Sequence, residues 1–191
     1  MLLSAYFCKF AVINKYFMQI EIKHFGNLRG RVLLPSSKSI CNRALVINYL
    51  ALLSSNNINK GTFSIDDDVF DNLIPLNVSD CDDTKVMIEW LKHNPSVVDI
   101  GAAGTAMRFS TALLSILDTE RIITGSERMK ERPISVLVNA LRDLGATIDY
   151  MENENYPPLR IIGKADMRGG DLMLPGNVSS QYVSALLMIG P

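Results

Sequence analysis

The sequence predicts an α/β fold turned inside out, with helices packed together in the interior, half-exposed strands outside, and a chain assembled from βαβαββ-like pseudo-repeats. Three observations predict it. One local grammar recurs in "VLLPSSKSICNRALVINYLA" (32–51), "VDIGAAGTAMRFSTALLSIL" (98–117) and "LMLPGNVSSQYVSALLMIG" (172–190): a short apolar strand, a loop of small residues, then a hydroxyl residue opening a helix. Those helices are apolar almost all round, as in Ala44-Leu45-Val46-Ile47, Ala112-Leu113-Leu114 and Ala185-Leu186-Leu187-Met188. A helix without a polar face is buried on every side. The remaining extended stretches alternate apolar and polar residues, the signature of a strand with one face in water.

Taken in order, the chain begins with a largely apolar stretch, Met1 to Ile13, broken by Lys9. It is too short to span a bilayer and lacks the basic start and small-residue cleavage site of a signal peptide. Met18 is read as the natural start and residues 1–17 as an upstream extension; Gln19 to Lys23 then alternates as a strand. Ser39, Thr105 and Ser180 hold matching positions and are of N-cap type, able to accept from a free amide of the first turn. Second helices fall between the repeats. "CDDTKVMIEWLKHN" (81–94) places Val86, Met87, Trp90 and Leu91 on one face, and "RPISVLVNALRDLGA" (132–146) opens with Pro133 in its first turn and closes at Gly145. "TIDYM" and "LRIIG" read as strands on either side of "ENENYPP", and the third repeat stops in mid-helix at Pro191.

Composition narrows the function. The 191 residues are 48% hydrophobic and 20% charged, enough for one ordinary core, with 19 basic and 20 acidic residues and a net charge of −1. A general nucleic-acid or membrane-surface binder carries a basic excess, so neither partner is expected. Cys8, Cys41 and Cys81 make no even disulfide set and no CxxC pair, and two histidines supply a zinc site poorly. A reduced, cytoplasmic setting without metal or cofactor is the simplest reading.

The three helix starts, expected to converge on one cleft if the repeats stand around an axis, carry the candidate chemistry, since a helix N-terminus offers unpaired amides and a positive dipole end. At the first, Lys38 and Ser39 stand side by side and Arg43 lies about one turn further along, giving two cations and a hydroxyl. They suit a phosphate or carboxylate, and equally an ordinary cap with two solvated charges. At the second, Gly101 to Gly104 form a small-residue loop that admits close backbone approach, with Arg108 following. At the third, Ser179, Ser180 and Gln181 are neutral groups able to read hydroxyls. "SERMKERP" adds Arg128, Lys130 and Arg132, a solvated charged loop in the usual case, from which Arg132 can point into the same cleft. The acidic "IDDDVFD" (65–71) lacks the glycine and terminal Glu of a calcium loop and is expected to be a solvated loop.

Five ordered stretches, "LPSSKSICNRAL", "GAAGTAMR", "RMKERPI", "ENYPPLR" and "VSSQYVSALLM", closely resemble the N-terminal part of the EPSP synthase family of enolpyruvyl transferases, from about Gly30 onward. The resemblance implies an inside-out α/β barrel lobe, the first of two, with its third repeat cut short and the second lobe absent from residues 18–191. It implies that Lys38, Ser39 and Arg43 hold shikimate 3-phosphate and that Ser179, Ser180 and Gln181 complete that site. Gly104 through its amide, Arg132, Lys38 and Gln181 would meet phosphoenolpyruvate, Lys38 and Arg132 acting electrostatically, while the acid–base residues lie outside this chain. The family often has Asn where this chain has Ala102, and Pro where it has Phe109. The alternatives are the sister transferase acting on UDP-N-acetylglucosamine, which usually shows Lys-Asn where this chain has Lys38-Ser39, and a non-catalytic anion-binding module.

Overall fold

A computed structural model describes residues 9–13, 20–24, 36–55 and 67–190. The chain divides into two compact units, residues 1–34 and 35–191. In the first, β1 (Lys9–Ile13) pairs antiparallel with β2 (Ile20–His24), Ala11 standing opposite Ile22. The strand read from the alternation after Met18 is therefore β2, and its partner comes from within the expected extension; Met18 itself and the apolar stretch 32–35 lie outside the described residues.

The second unit runs α1 (Lys38–Ser55), α2 (Asp67–Asp71), α3 (Asp82–His93), β3 (Val97–Asp99), α4 (Gly104–Ser115), β4 (Glu120–Thr124), α5 (Glu127–Lys130), α6 (Ser135–Asp143), β5 (Thr147–Tyr150), β6 (Leu159–Ile162) and α7 (Ser180–Ile189). From β3 to β6 this is one βαβαββ unit with the extra turn α5. The strands form one sheet in the order β3-β4-β6-β5. β3 and β4 are parallel, as a crossover through α4 requires, and the pairs β4–β6 and β6–β5 are antiparallel. Val98, Ile123, Ile148, Leu159 and Ile161 turn to the core, while neighbours such as Val97, Asp99 and Asp149 face water. The half-exposed strands are thus as the alternation implies.

α4 is the centre of the unit. Every residue from Thr105 to Ser115 is buried, with β4 and β6 on one side and α1, α3, α6 and α7 around the rest. Two of its hydroxyls are satisfied within the helix. Thr111 Oγ1 donates to the Met107 carbonyl (2.7 Å) and Ser115 Oγ to that of Ala112 (2.6 Å), bonds that let hydroxyls enter a core without a distant partner. α1 meets α3 through Tyr49 and Trp90, ring centroids 6.4 Å apart. On α3, Met87, Trp90 and Leu91 are buried and Val86 is half-buried, the face expected.

Four expectations need correction. Burial on all sides holds for α4 but not for α1 or α7, which expose Ile40, Ile47, Val183 and Leu187. Each packs on α4 by one face, and no described element covers the other. Residues 172–175 keep an alternating pattern of exposure but form no strand, because no described segment offers a ladder of hydrogen bonds there. The acidic stretch holds the short helix α2 rather than a loop throughout, anchored by the buried Phe70, whose ring faces the Lys92 ammonium at 6.0 Å. Pro133 stands just before the Ile134 N-cap of α6 instead of inside its first turn, while Gly145 follows the last turn at φ 104°, a conformation suited to glycine.

Candidate functional site at three helix starts

The cap positions fall one or two residues before the hydroxyls expected to supply them. At α1 the acceptor for the Ile40 amide is Ser37 Oγ (3.5 Å), so Ser39 sits in the first turn with its side chain exposed. At α7, Ser179 Oγ accepts from the Gln181 amide (3.3 Å), and Ser180 is the first helical residue. At α4 the N-cap position is Ala103, which has no acceptor. That start is buried, with Ala103 and Thr105 almost fully covered, so its amides need a partner from elsewhere. Asp83 of α3 provides it: Oδ1 accepts from the amides of Thr105 (2.9 Å) and Ala106 (3.4 Å).

The same carboxylate joins two of the starts. Asp83 Oδ2 accepts from Lys38 Nζ at 3.1 Å, an ion pair whose acid is 12% exposed and whose base is 46% exposed. Gln181 Nε2 donates to Thr105 Oγ1 (3.1 Å) and ties in the third start. Lys38, Asp83, Thr105 and Gln181 are therefore one continuous polar chain across α1, α3, α4 and α7. The convergence expected of the helix starts is present as bonded geometry.

Arg132 joins them from the turn before α6. A Cβ on Gly104 would lie 2.5 Å from Arg132 Nη1 and 3.1 Å from Arg108 Nη1, so two guanidinium groups rest against Gly104 where any side chain would displace them. Arg132 lines a cleft of about 460 Å³ with Ala102, Arg128 and Met129. Arg108 is a buried strut instead: Nη1 donates to the Gly104 carbonyl (2.9 Å) and the guanidinium faces the Tyr182 ring at 5.8 Å. Tyr182 Oη then donates to the Pro133 carbonyl (3.0 Å), fixing the turn that carries Arg132. Lys130 turns away to Glu152 (3.2 Å) and Glu127 (3.3 Å), and these hydrogen bonds hold its ammonium above the ordinary lysine range.

Arg43 lies one turn along α1. Nη1 donates to the Ser39 carbonyl (2.9 Å), Nη2 to Ser184 Oγ (2.8 Å), and the guanidinium faces the Phe109 ring at 5.5 Å. It lines a second cleft, of about 640 Å³ and largely apolar, with Ile47, Ser184 and Leu187. The structure thus brings Lys38 and Gln181 into one chain with the α4 start, sets Arg132 against Gly104, and holds Arg43 between α1, α4 and α7.

Sequence reasoning missed Asp83, Tyr182 and Ser184. Asp82 and Asp83 read as acids in the first turn of their own helix, favourable there through its dipole, and nothing local shows that one of them serves another helix. Among the described residues no group of three His, Cys, Asp or Glu could hold a metal ion, and no helix is long and apolar enough to cross a membrane.

Buried central helix, outer sheet and gathered helix starts together define a lobe of the enolpyruvyl transferase type. A solved structure of EPSP synthase from Acinetobacter baumannii has the same fold, with a TM-score of 0.65 at 21% identity over 84% of this chain and 38% of that one. The family of EPSP synthase (3-phosphoshikimate 1-carboxyvinyltransferase) matches residues 22–191, and the chain belongs to it. Curated relatives of that name include one from Bacteroides fragilis, 54% identical over 166 residues, covering 87% of this chain and 36% of the relative. Another, from Yersinia pestis, is 41% identical over 180 residues, covering 90% of this chain and 42% of the relative. The chain thus spans about two fifths of the length of such relatives.

Proposed function

We propose that this chain supplies the substrate-gripping lobe for transfer of the enolpyruvyl group of phosphoenolpyruvate to the 5-hydroxyl of shikimate 3-phosphate, a step of the shikimate pathway toward aromatic amino acids, in the cytoplasm. The observation that carries the reading is the bonded chain from Lys38 through Asp83 and Thr105 to Gln181, with Arg132 against Gly104 at its centre. Lys38, Ser39 and Arg43 are assigned to shikimate 3-phosphate together with Ser179, Ser180 and Gln181. Gly104 and Arg132 are assigned to phosphoenolpyruvate, with Lys38 and Gln181 touching both. Asp83 takes the Thr105 and Ala106 amides and so leaves the Gly104 amide for a ligand.

In the reaction the 5-hydroxyl adds to C2 of phosphoenolpyruvate while C3 gains a proton, and phosphate then leaves the tetrahedral intermediate. The residues here supply cations and amides that hold two anions together and stabilise developing charge. The proton transfers need acid–base groups, which we assign to the part of the relatives this chain does not span.

The chain is accordingly expected to bind shikimate 3-phosphate with millimolar affinity, seen as amide shifts of α1 and α7 residues by NMR, and to release no phosphate in a coupled assay with both substrates. Normal turnover by the 191 residues alone overturns the division of labour. Displacement of shikimate 3-phosphate by UDP-N-acetylglucosamine favours the sister transferase. Gly104→Ala offers a second check, because the new methyl meets only side-chain ends that can move. Its melting temperature is expected to match the parent within a few degrees, while phosphoenolpyruvate binding falls roughly tenfold as Arg132 is displaced.

A further inference from the structure

Asp83 sets a puzzle for an anion site: a carboxylate only 12% exposed stands where anionic ligands are proposed to bind, and it opposes them by charge. Capping α4 does not explain it, since an Asn, Ser or Thr oxygen caps a helix as well and brings no charge. One oxygen does the capping, on the Thr105 and Ala106 amides. The other is spent on Lys38 Nζ at 3.1 Å. Lys38 is half-exposed on a flexible four-carbon stem, so without an anchor its ammonium would sample many positions in water.

We infer that Asp83 is a positioning residue, which fixes the Lys38 ammonium to the start of α4 so that an arriving phosphate or carboxylate meets a preset cation. Because Asp83 is bonded at once to α1 and α4, and Thr105 in turn to Gln181 of α7, one carboxylate holds the three helix starts in a single frame. Asp83 touches no ligand; it acts through Lys38, by removing rotamers that binding would otherwise have to freeze. The inference rests on the reading that Lys38 grips shikimate 3-phosphate.

The test compares four chains, the parent, Asp83→Asn, Lys38→Ala and the double variant, by NMR titration with shikimate 3-phosphate. Asn keeps an acceptor for the Thr105 and Ala106 amides and nearly the same shape, so their shifts and the melting temperature should stay close to those of the parent. Asp83→Asn is expected to weaken binding roughly 5- to 20-fold, although it removes a negative charge from the neighbourhood, and to have less than about a twofold effect once Lys38 is alanine. Unchanged or tighter binding in Asp83→Asn makes Asp83 a mere opposing charge and overturns the inference. So does an equal loss in the Lys38→Ala background, which would place its action in the helix start instead. If the parent fails to bind, or Lys38→Ala binds as the parent does, the functional reading falls and the inference with it.

Discussion

Gly163→Ala is expected to lower the melting temperature by roughly 6 to 12 °C, the largest effect of a methyl added at any described glycine. Gly163 follows β6 where that strand crosses the end of α4. Its amide donates to the Thr119 carbonyl (2.9 Å), and the next amide, of Lys164, to that of Ser115 (2.9 Å). A Cβ there would fall inside the contact radii of the Leu114 and Leu117 carbonyl oxygens. Both are backbone atoms at the end of the central helix, so relief means moving the sheet off α4 or bending α4 itself. Overpacking costs about 1 to 3 kcal/mol, and a clash with backbone that no side-chain rotation relieves belongs at the upper end, about 3 kcal/mol. Gly176→Ala is the control: a Cβ there meets nothing within 4 Å, and its melting temperature should equal that of the parent. Thermal melts followed by circular dichroism decide it, and equal melting of the two variants would mean that the strand does not press on the helix.

The largest effect on binding is expected from Lys38→Ala combined with Arg43→Ala, at least about a hundredfold loss of affinity for shikimate 3-phosphate. Both cations belong to α1 and are held from other helices, Lys38 by Asp83 and Arg43 by Ser184 and the Phe109 ring. Arg43 uses two of its five N–H donors within the protein, which leaves three for a ligand. A hydrogen bond to a charged group contributes about 1.5 to 3 kcal/mol, so two cations together account for a loss of that size. Isothermal titration of parent and double variant measures it, with circular dichroism confirming that α1 persists. Equal affinity in the two chains removes Lys38 and Arg43 from the proposed site.

Much of this was legible because it is local. The face of α3 that carries Met87, Trp90 and Leu91, and the alternation of "TIDYM" and "LRIIG", follow from side-chain period along one element. The family resemblance was legible too, since five motifs in order constrain one another more than any single loop does. The candidate residues were legible only as types and neighbours. That Lys38 would find Asp83 and Gln181 would find Thr105 depends on contacts 45 and 76 positions apart. No window of sequence contains such a pair.

The sequence by itself determined most of the elements from α3 to β6, the outward strands and the clustering of cations and hydroxyls at helix starts, because propensity and periodicity act over a few residues. Tertiary structure decided the rest. Three helices of similar apolar composition are buried to different degrees, α4 completely, α1 and α7 on one face, because burial depends on what surrounds a helix and composition records only what it would tolerate. The cap of α4 comes from α3, since a buried amide must be satisfied by whichever acceptor the packing brings near, and here that is Asp83. The strand-like residues 172–175 pair with no described segment, and a strand needs a neighbour that its own sequence cannot supply.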